Sequence, residues 1–235
     1  PGAWLPNRRA MKNCNSTWLN GKPLVTDVET AIGRPVAVAN DANCFALSEA
    51  LGGAGKGART VFGVILGTGV GGGWVVDGKS LVGPNAVSGE WGHTPLPYFR
   101  ADPTTAGVEN DLVDRACYCG RLNCVELFLS GPGVEETHQE ITGEKASAVD
   151  VLASRDLPVA GLYSAMLARS LAQMVNSVDP DVIVLGGGVS NTEWLYAELA
   201  DRIGRYVFSP EGMTRIVAAE HGDSSGVRGA AWLNA

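Results

Sequence analysis

Three cysteines in the run CYCGRLNC, Cys117, Cys119 and Cys124, with His93 upstream, limit what this chain can fold into more than any other feature. Gaps of one and four residues force a tight knuckle around anything the thiols share. Gly120 and Asn123 suit such a bend because both tolerate left-handed backbone. One imidazole and three thiols form a donor set for a closed tetrahedral zinc site. Packed cysteines or a disulfide would use the same residues. With no secretory signal at the visible start, however, clustered thiols hold metal more often than they bridge. Glu90 precedes the histidine and Glu126 follows the last cysteine, so carboxylates able to face a polar ligand lie close to the ligands in sequence. The expectation is a metal that shapes a substrate pocket. Cys14 and Cys44 stand alone and read as small buried apolar residues.

The 235 residues are 45% hydrophobic, enough for a large core in one big domain or two lobes. Eighteen Lys and Arg against 25 Asp and Glu leave a net charge of -7, with no basic cluster to offset it. That balance disfavours broad nucleic-acid or anionic-membrane binding and suits small-molecule partners. No apolar run is long enough to span a bilayer, and PGAWLPNRRAMKNC is neither a secretory nor a transit signal, so a cytoplasmic setting is expected. The Pro1-Gly2 start reads as the middle of a loop, and the expectation is a fragment or a protein whose N-terminus lies upstream.

Helical and extended patterns alternate along the chain. VAVAN at 36–40 reads as a short buried strand running into Asp41 and a helix over ANCFALSEAL. Val61 to Leu66 is a second apolar strand, broken by GTGVGGG at 67–73. WVVDGKSLV follows, with Asp77-Gly78 predicting a type I′ hairpin turn. Residues 94–116 are polar and proline-marked, an excursion between His93 and the cysteines. Apolar residues from Tyr163 to Val175 recur at helical spacing until Asp179-Pro180 ends the run, and the strand VIVL at 182–185 leads into a Gly-Gly-Gly loop. The class is α/β with glycine loops at strand ends.

Loops without Cβ atoms let backbone N–H groups approach phosphate, and Thr68 adds a hydroxyl to the first of them. Neither Gly67-Thr68-Gly69 nor Gly186-Gly187-Gly188 is a Walker or dinucleotide motif. Each alone is as compatible with a tight turn, and the pair shifts the balance modestly toward a nucleotide. Asn40-Asp41 supplies an amide for a sugar hydroxyl and a carboxylate able to take its proton. By spacing alone, Asp41 is better read as a helix N-cap.

Taken in order, NSTWLNG (15–21), ANDANC (39–44), ILGTGVGGG (65–73), GEWGH (89–93), CYCGRLNCVE (117–126), DPDVIVLGGGVSN (179–191) and HGDSSGVRGAAWL (221–233) resemble the ROK family of sugar kinases over nearly the whole chain. Within that family the chain looks most like fructokinases of the manno(fructo)kinase type, with N-acetylglucosamine kinases as close relatives. The resemblance implies a two-lobed, actin-like α/β fold, with residues 1–41 and a C-terminal helix at 224–235 in the small lobe and 42–223 in the large one. It implies ATP-dependent phosphorylation of a hexose at its primary hydroxyl, fructose first and mannose or glucose also. Asp41 would be the general base, and Asn15, Asn40, Glu90, His93 and Glu126 would bind the sugar. Gly67, Thr68 and Gly69 would face the ATP phosphates, and Gly187 and Gly188 the adenosine. His93, Cys117, Cys119 and Cys124 would hold a structural Zn²⁺, and Mg²⁺ would offset charge at the transferring phosphoryl group. A homodimer is implied as well, though no residue specifies it.

Two features depart from the family. Its members open with a DxGGT phosphate loop that occurs nowhere in these residues, so the chain as given is expected to be inactive by itself. Asn123 stands where many relatives have glycine, and its tolerance of left-handed backbone should preserve the knuckle. Some ROK members are sugar-responsive repressors with an added helix-turn-helix. A sensor needs neither a base nor an ATP site, so Asp41 and the glycine loops favour the kinase.

Overall fold

The two most apolar runs of the sequence lie side by side and parallel in the middle of a five-stranded sheet. The structure, a computed structural model, describes residues 2–14, 16–209 and 211–233. In chain order its elements are a short hairpin, β1 (Ala3–Leu5) and β2 (Ala10–Lys12), then helices α1 (Leu24–Ile32) and α2 (Asp41–Gly52). Strands β3 (Thr60–Leu66), β4 (Val70–Val76) and β5 (Lys79–Ser80) come next, followed by helices α3 (Ala106–Glu109), α4 (Glu126–Leu129), α5 (Gly131–Thr142), α6 (Ala148–Leu152) and α7 (Pro158–Val178). The chain continues through β6 (Val182–Gly186), α8 (Trp194–Arg202), β7 (Arg215–Ala218) and α9 (Ser225–Ala231). The sheet order is β5-β4-β3-β6-β7: an antiparallel meander, then two strands parallel to β3.

Strand alternation divides the core in two. On β6, Val182 and Val184 face one cluster with Phe45, Ala46, Leu47 and Ala50 of α2, while Ile183 and Leu185 face the larger cluster built on α7 and α8. Helix α7 spans Pro158 to Val178, with proline in its first turn and Asp179 closing it at φ 54° before Pro180, as the periodicity predicts. The Asp77-Gly78 turn also matches expectation, both residues having positive φ (49° and 74°).

Two expected elements differ. VAVAN is extended but unpaired, and Ala37 and Val38 are exposed. A strand exists through its neighbour's hydrogen bonds, and among the described residues no strand lies alongside this segment. GTGVGGG is a loop only over residues 67–69, because Val70 already pairs with Leu66 and the glycines continue as β4. Their role there is close approach. A Cβ on Gly73 would stand 2.5 Å from the Ala42 carbonyl oxygen, and one on Gly63 2.6 Å from the Ala46 Cβ, so α2 lies almost backbone to backbone on the sheet. Helix α9 covers the outer side of α2, where Gly229 meets the Cys44 carbonyl. Helix α2 is therefore buried all round from Ala42 to Ala50.

That burial includes an acid. Glu49 is fully buried and accepts from the amides of Ala54 (3.0 Å), Glu220 (3.1 Å) and His221 (3.1 Å) and from the Ser225 hydroxyl (2.7 Å). Burial alone would raise its carboxyl, but the Ser225 hydroxyl and the three amides outweigh it and hold the group below the ordinary glutamate value. Residues 94–116 are likewise less solvent-borne than expected. Asp102 and Glu109 reach in to the fully buried Arg169 of α7, at 3.4 and 2.8 Å, and pin the excursion to the core.

Candidate active site

The N-terminus of α2 is set by Asn40, whose extended backbone and side-chain oxygen, accepting from the Ala42 amide at 2.8 Å, make it the N-cap. Asp41 is the first helical residue, exposed at the helix end. The cap that spacing alone assigned to Asp41 thus belongs to its neighbour, leaving the aspartate in the first turn of the helix. Next to it, Ala42 packs against Gly71 and Gly73 at the start of β4.

Gly67, Thr68 and Gly69 form the turn between β3 and β4. Gly67 donates to the Gly69 carbonyl (3.0 Å) and accepts from the Gly131 amide (2.7 Å), while Thr68 is exposed at the tip. Gly187 lies against the end of β3, where its φ of 86° and the adjacent Leu66 carbonyl leave no room for a side chain. Gly186 pairs with Ile65, so both glycine loops leave the carboxyl ends of adjacent parallel strands. That is where open α/β sheets bind ligands.

The knuckle docks beside them. Gly120 (φ 86°) and Asn123 (φ 54°) take the left-handed positions, and the Asn123 side chain accepts from the Arg115 amide (2.8 Å) and donates to Asp114 (2.9 Å). Paired backbone bonds, Leu96 N–H to Asn123 and Val125 N–H to Thr94, hold it against the segment that follows His93. His93 Nδ1 lies 3.5 Å from Cys117 Sγ, and Cys119 and Cys124 sulfurs are 3.5 Å apart. All four ligand atoms fall within 4.8 Å of one another. A tetrahedron with Zn–S bonds of about 2.3 Å has edges of roughly 3.7 Å, so the donor set fits such an ion. The thiols are free and share protons unequally. Against burial, which would raise it, the Arg121 amide, the neighbouring thiols and the Arg121 guanidinium bring Cys119 down to about 6. Burial and hydrogen bonding with Cys119 and Cys117 push Cys124 up to about 12, and burial raises Cys117.

The acidic pair splits. Glu126 opens α4 and accepts from the Val70 amide at 2.9 Å, bringing its carboxylate against Gly69. Glu90 is exposed, just before the 3-10 turn Trp91–His93. Trp91 donates its indole N–H to the Gly71 carbonyl (2.9 Å) and fixes that turn on β4. Thus the first residues of β4 touch the Asp41 helix, the GEWGH segment and Glu126 together. Asn15 lies outside the described residues.

The sequence model of the ROK family matches residues 5–235. The chain belongs to the ROK family. It is 43% identical over 243 residues to an N-acetyl-D-glucosamine kinase of Vibrio cholerae, covering 100% of this chain and 78% of that protein. In structure it is similar to a ROK hexokinase from Thermus thermophilus, with TM-score 0.79 and 28% identity, over 98% of this chain and 75% of that one. It is also similar to a ROK family glucokinase from Streptomyces griseus in complex with glucose and AMPPNP, with TM-score 0.70 and 29% identity, over 92% and 73% of the two chains. The fold is the actin-like ATPase fold of this ROK group.

One residue beside His93 gave no signal in the sequence. The Tyr118 hydroxyl lies 2.7 Å from His93 Nε2, with the two rings edge to face. Although the ring is largely exposed, desolvation of the hydroxyl and then the charges of Glu126, Cys117, Glu90 and Cys119 push this phenol up to about 12, so it stays protonated. A tyrosine between two cysteines carries no spacing signal of its own. Among the described residues no helix is long and apolar enough to cross a membrane.

Proposed function

We propose that this ROK chain is the body of an ATP-dependent sugar kinase acting on the primary hydroxyl of a hexose, with N-acetylglucosamine as the preferred substrate. The fructose preference expected from the motifs gives way here, because the relatives at 43% and 42% identity are N-acetyl-D-glucosamine kinases. The observation that carries the reading is the junction at β4. The helix that begins with Asp41 packs its next residue on Gly71, two residues beyond the turn of Gly67, Thr68 and Gly69.

In this reading Asp41 takes the proton from the primary hydroxyl as that oxygen bonds to the γ-phosphorus of ATP and the bond to the ADP oxygen breaks. Asn40, Glu90, His93 and Glu126 hold the other hydroxyls, and Asn15 adds a further contact. Gly67, Thr68 and Gly69 receive the phosphates, and Gly187 and Gly188 the adenosine. Mg²⁺ bound with the nucleotide would supply positive charge at the transferred group. His93, Cys117, Cys119 and Cys124 would hold Zn²⁺ as a structural ion, and in doing so these residues orient the His93 ring and brace Glu126. Residues 1–41 with 224–235 form the small lobe and 42–223 the large one, with the sugar between them.

A coupled assay of ADP release with N-acetylglucosamine, glucose, mannose and fructose tests this. It is run on this chain and on a version extended upstream by a DxGGT phosphate loop. The extended protein should turn over N-acetylglucosamine fastest, and Asp41→Ala should lower that rate by about 10²- to 10⁴-fold. Hexose-dependent turnover that survives Asp41→Ala would remove Asp41 from the mechanism. No turnover with any hexose would remove the kinase reading.

A further inference from the structure

Tyr118 sits between two metal ligands, Cys117 and Cys119, and is 79% exposed. An exposed tyrosine ordinarily leaves its hydroxyl to water. Here the knuckle fixes the backbone on both sides, and the hydroxyl is directed at His93 Nε2 at 2.7 Å, with ring centroids 4.9 Å apart and planes at 84°. The other ring nitrogen, Nδ1, faces Cys117 and the metal cluster. Nε2 is therefore the one atom of His93 left to meet a ligand. An imidazole nitrogen makes a single in-plane hydrogen bond, so it cannot hold the phenol and a sugar hydroxyl together. The exposed face of Tyr118 leaves its ring free to turn outward.

Resting on the sugar-kinase reading, we infer that Tyr118 closes the sugar subsite at His93 when no sugar is bound, its phenol standing where a substrate hydroxyl must go. Binding then exchanges one hydrogen bond on Nε2 for another, and the affinity of the site is set partly by how firmly Tyr118 holds. Tyr118 becomes a specificity-determining residue. A sugar presenting a well-placed hydroxyl to His93 displaces it, and one lacking that hydroxyl does not.

Calorimetric titration of the zinc-loaded chain with N-acetylglucosamine and glucose, in wild type, Tyr118→Phe and Tyr118→Ala, tests the inference. Removing a neutral hydrogen bond of ordinary net strength should tighten binding by about three- to tenfold in Tyr118→Phe, with Tyr118→Ala at least as tight. A panel of monodeoxy sugars gives the second readout. The tightening should vanish for the one analogue that lacks the hydroxyl meant for His93 and persist for the others. Unchanged or weaker binding in both variants, with wild-type binding intact, overturns the role of Tyr118 and leaves the sugar site standing. Absence of sugar binding in all three proteins overturns the sugar reading and this inference with it.

Discussion

Replacing Glu49 by glutamine changes one atom and should cost more than most core truncations. The carboxylate is fully buried and divides four donors between its two oxygens: Ala54 and Glu220 amides on Oε2, the His221 amide and Ser225 hydroxyl on Oε1. A glutamine retains one acceptor oxygen and turns an NH₂ toward the other two donors. If the oxygen keeps His221 and Ser225, the amides of Ala54 and Glu220 are left facing an N–H group. Each buried unsatisfied donor costs about 1–3 kcal/mol, so Glu49→Gln should lose roughly 2–6 kcal/mol. Relaxation is restricted, because Gly53 lies against the same carboxylate and three of its four donors, from Glu220, His221 and Ser225, come from one short segment. Urea unfolding at neutral pH, followed by tryptophan fluorescence, measures the difference. Trp232, packed against Gly52, reports from the same end of the helix.

The pH dependence supplies a control with a definite sign. The folded Glu49 carboxyl lies below the ordinary glutamate value, so its stabilisation is present above the unfolded pKa and is lost as pH falls through the folded one. The gap between wild type and Glu49→Gln should therefore be level near neutrality and narrow below about pH 4.3. A gap under about 0.5 kcal/mol at pH 7, a difference usual for surface changes, would refute the clamp.

Two further outcomes are expected. Between pH 7 and 8 Cys119 is already a thiolate, at about 6, whereas Cys124, at about 12, and the raised Cys117 still carry protons. Zinc binding in that window should release about two protons, and the logarithm of its affinity, measured by chelator competition, should rise by about two per pH unit. Arg169→Met should cost about 3–5 kcal/mol in chemical denaturation, because it leaves Asp102 and Glu109 as buried carboxylates without their cation; adding Asp102→Asn and Glu109→Gln should recover part of it.

What was legible in the sequence was chemistry that acts over short spans. The cysteine spacing, the Asp77-Gly78 turn and the Asp179-Pro180 helix end depend on their own residues and neighbours, and the structure shows each where it was expected. What was not legible depends on partners distant in sequence. VAVAN has the composition of a strand and no strand beside it. The glycines at 71–73 look like loop residues, yet are strand residues, and Gly73 is thinned to admit α2, a contact made across some 30 positions. Glu49 did offer a signal, a lone acid within the apolar run of ANCFALSEAL, but its four donors come from segments as far away as residue 225.

These distant contacts also explain why the site is built as one unit. The Val70 amide is bound to Glu126, Gly71 receives Ala42 on one side and the Trp91 indole on its carbonyl, and Gly89 and Gly92 fit only against the Gly72 and Val70 carbonyls. Three backbone positions of one strand thereby register the aspartate helix, the histidine turn and the knuckle against one another. A shift of the 67–69 turn, which leads into that strand, must displace Glu126 or break its bond to Val70. In the proposed kinase, phosphate at the 67–69 turn and a sugar hydroxyl at Glu126 would thus be joined through a single hydrogen bond, Val70 N–H to the Glu126 carboxylate.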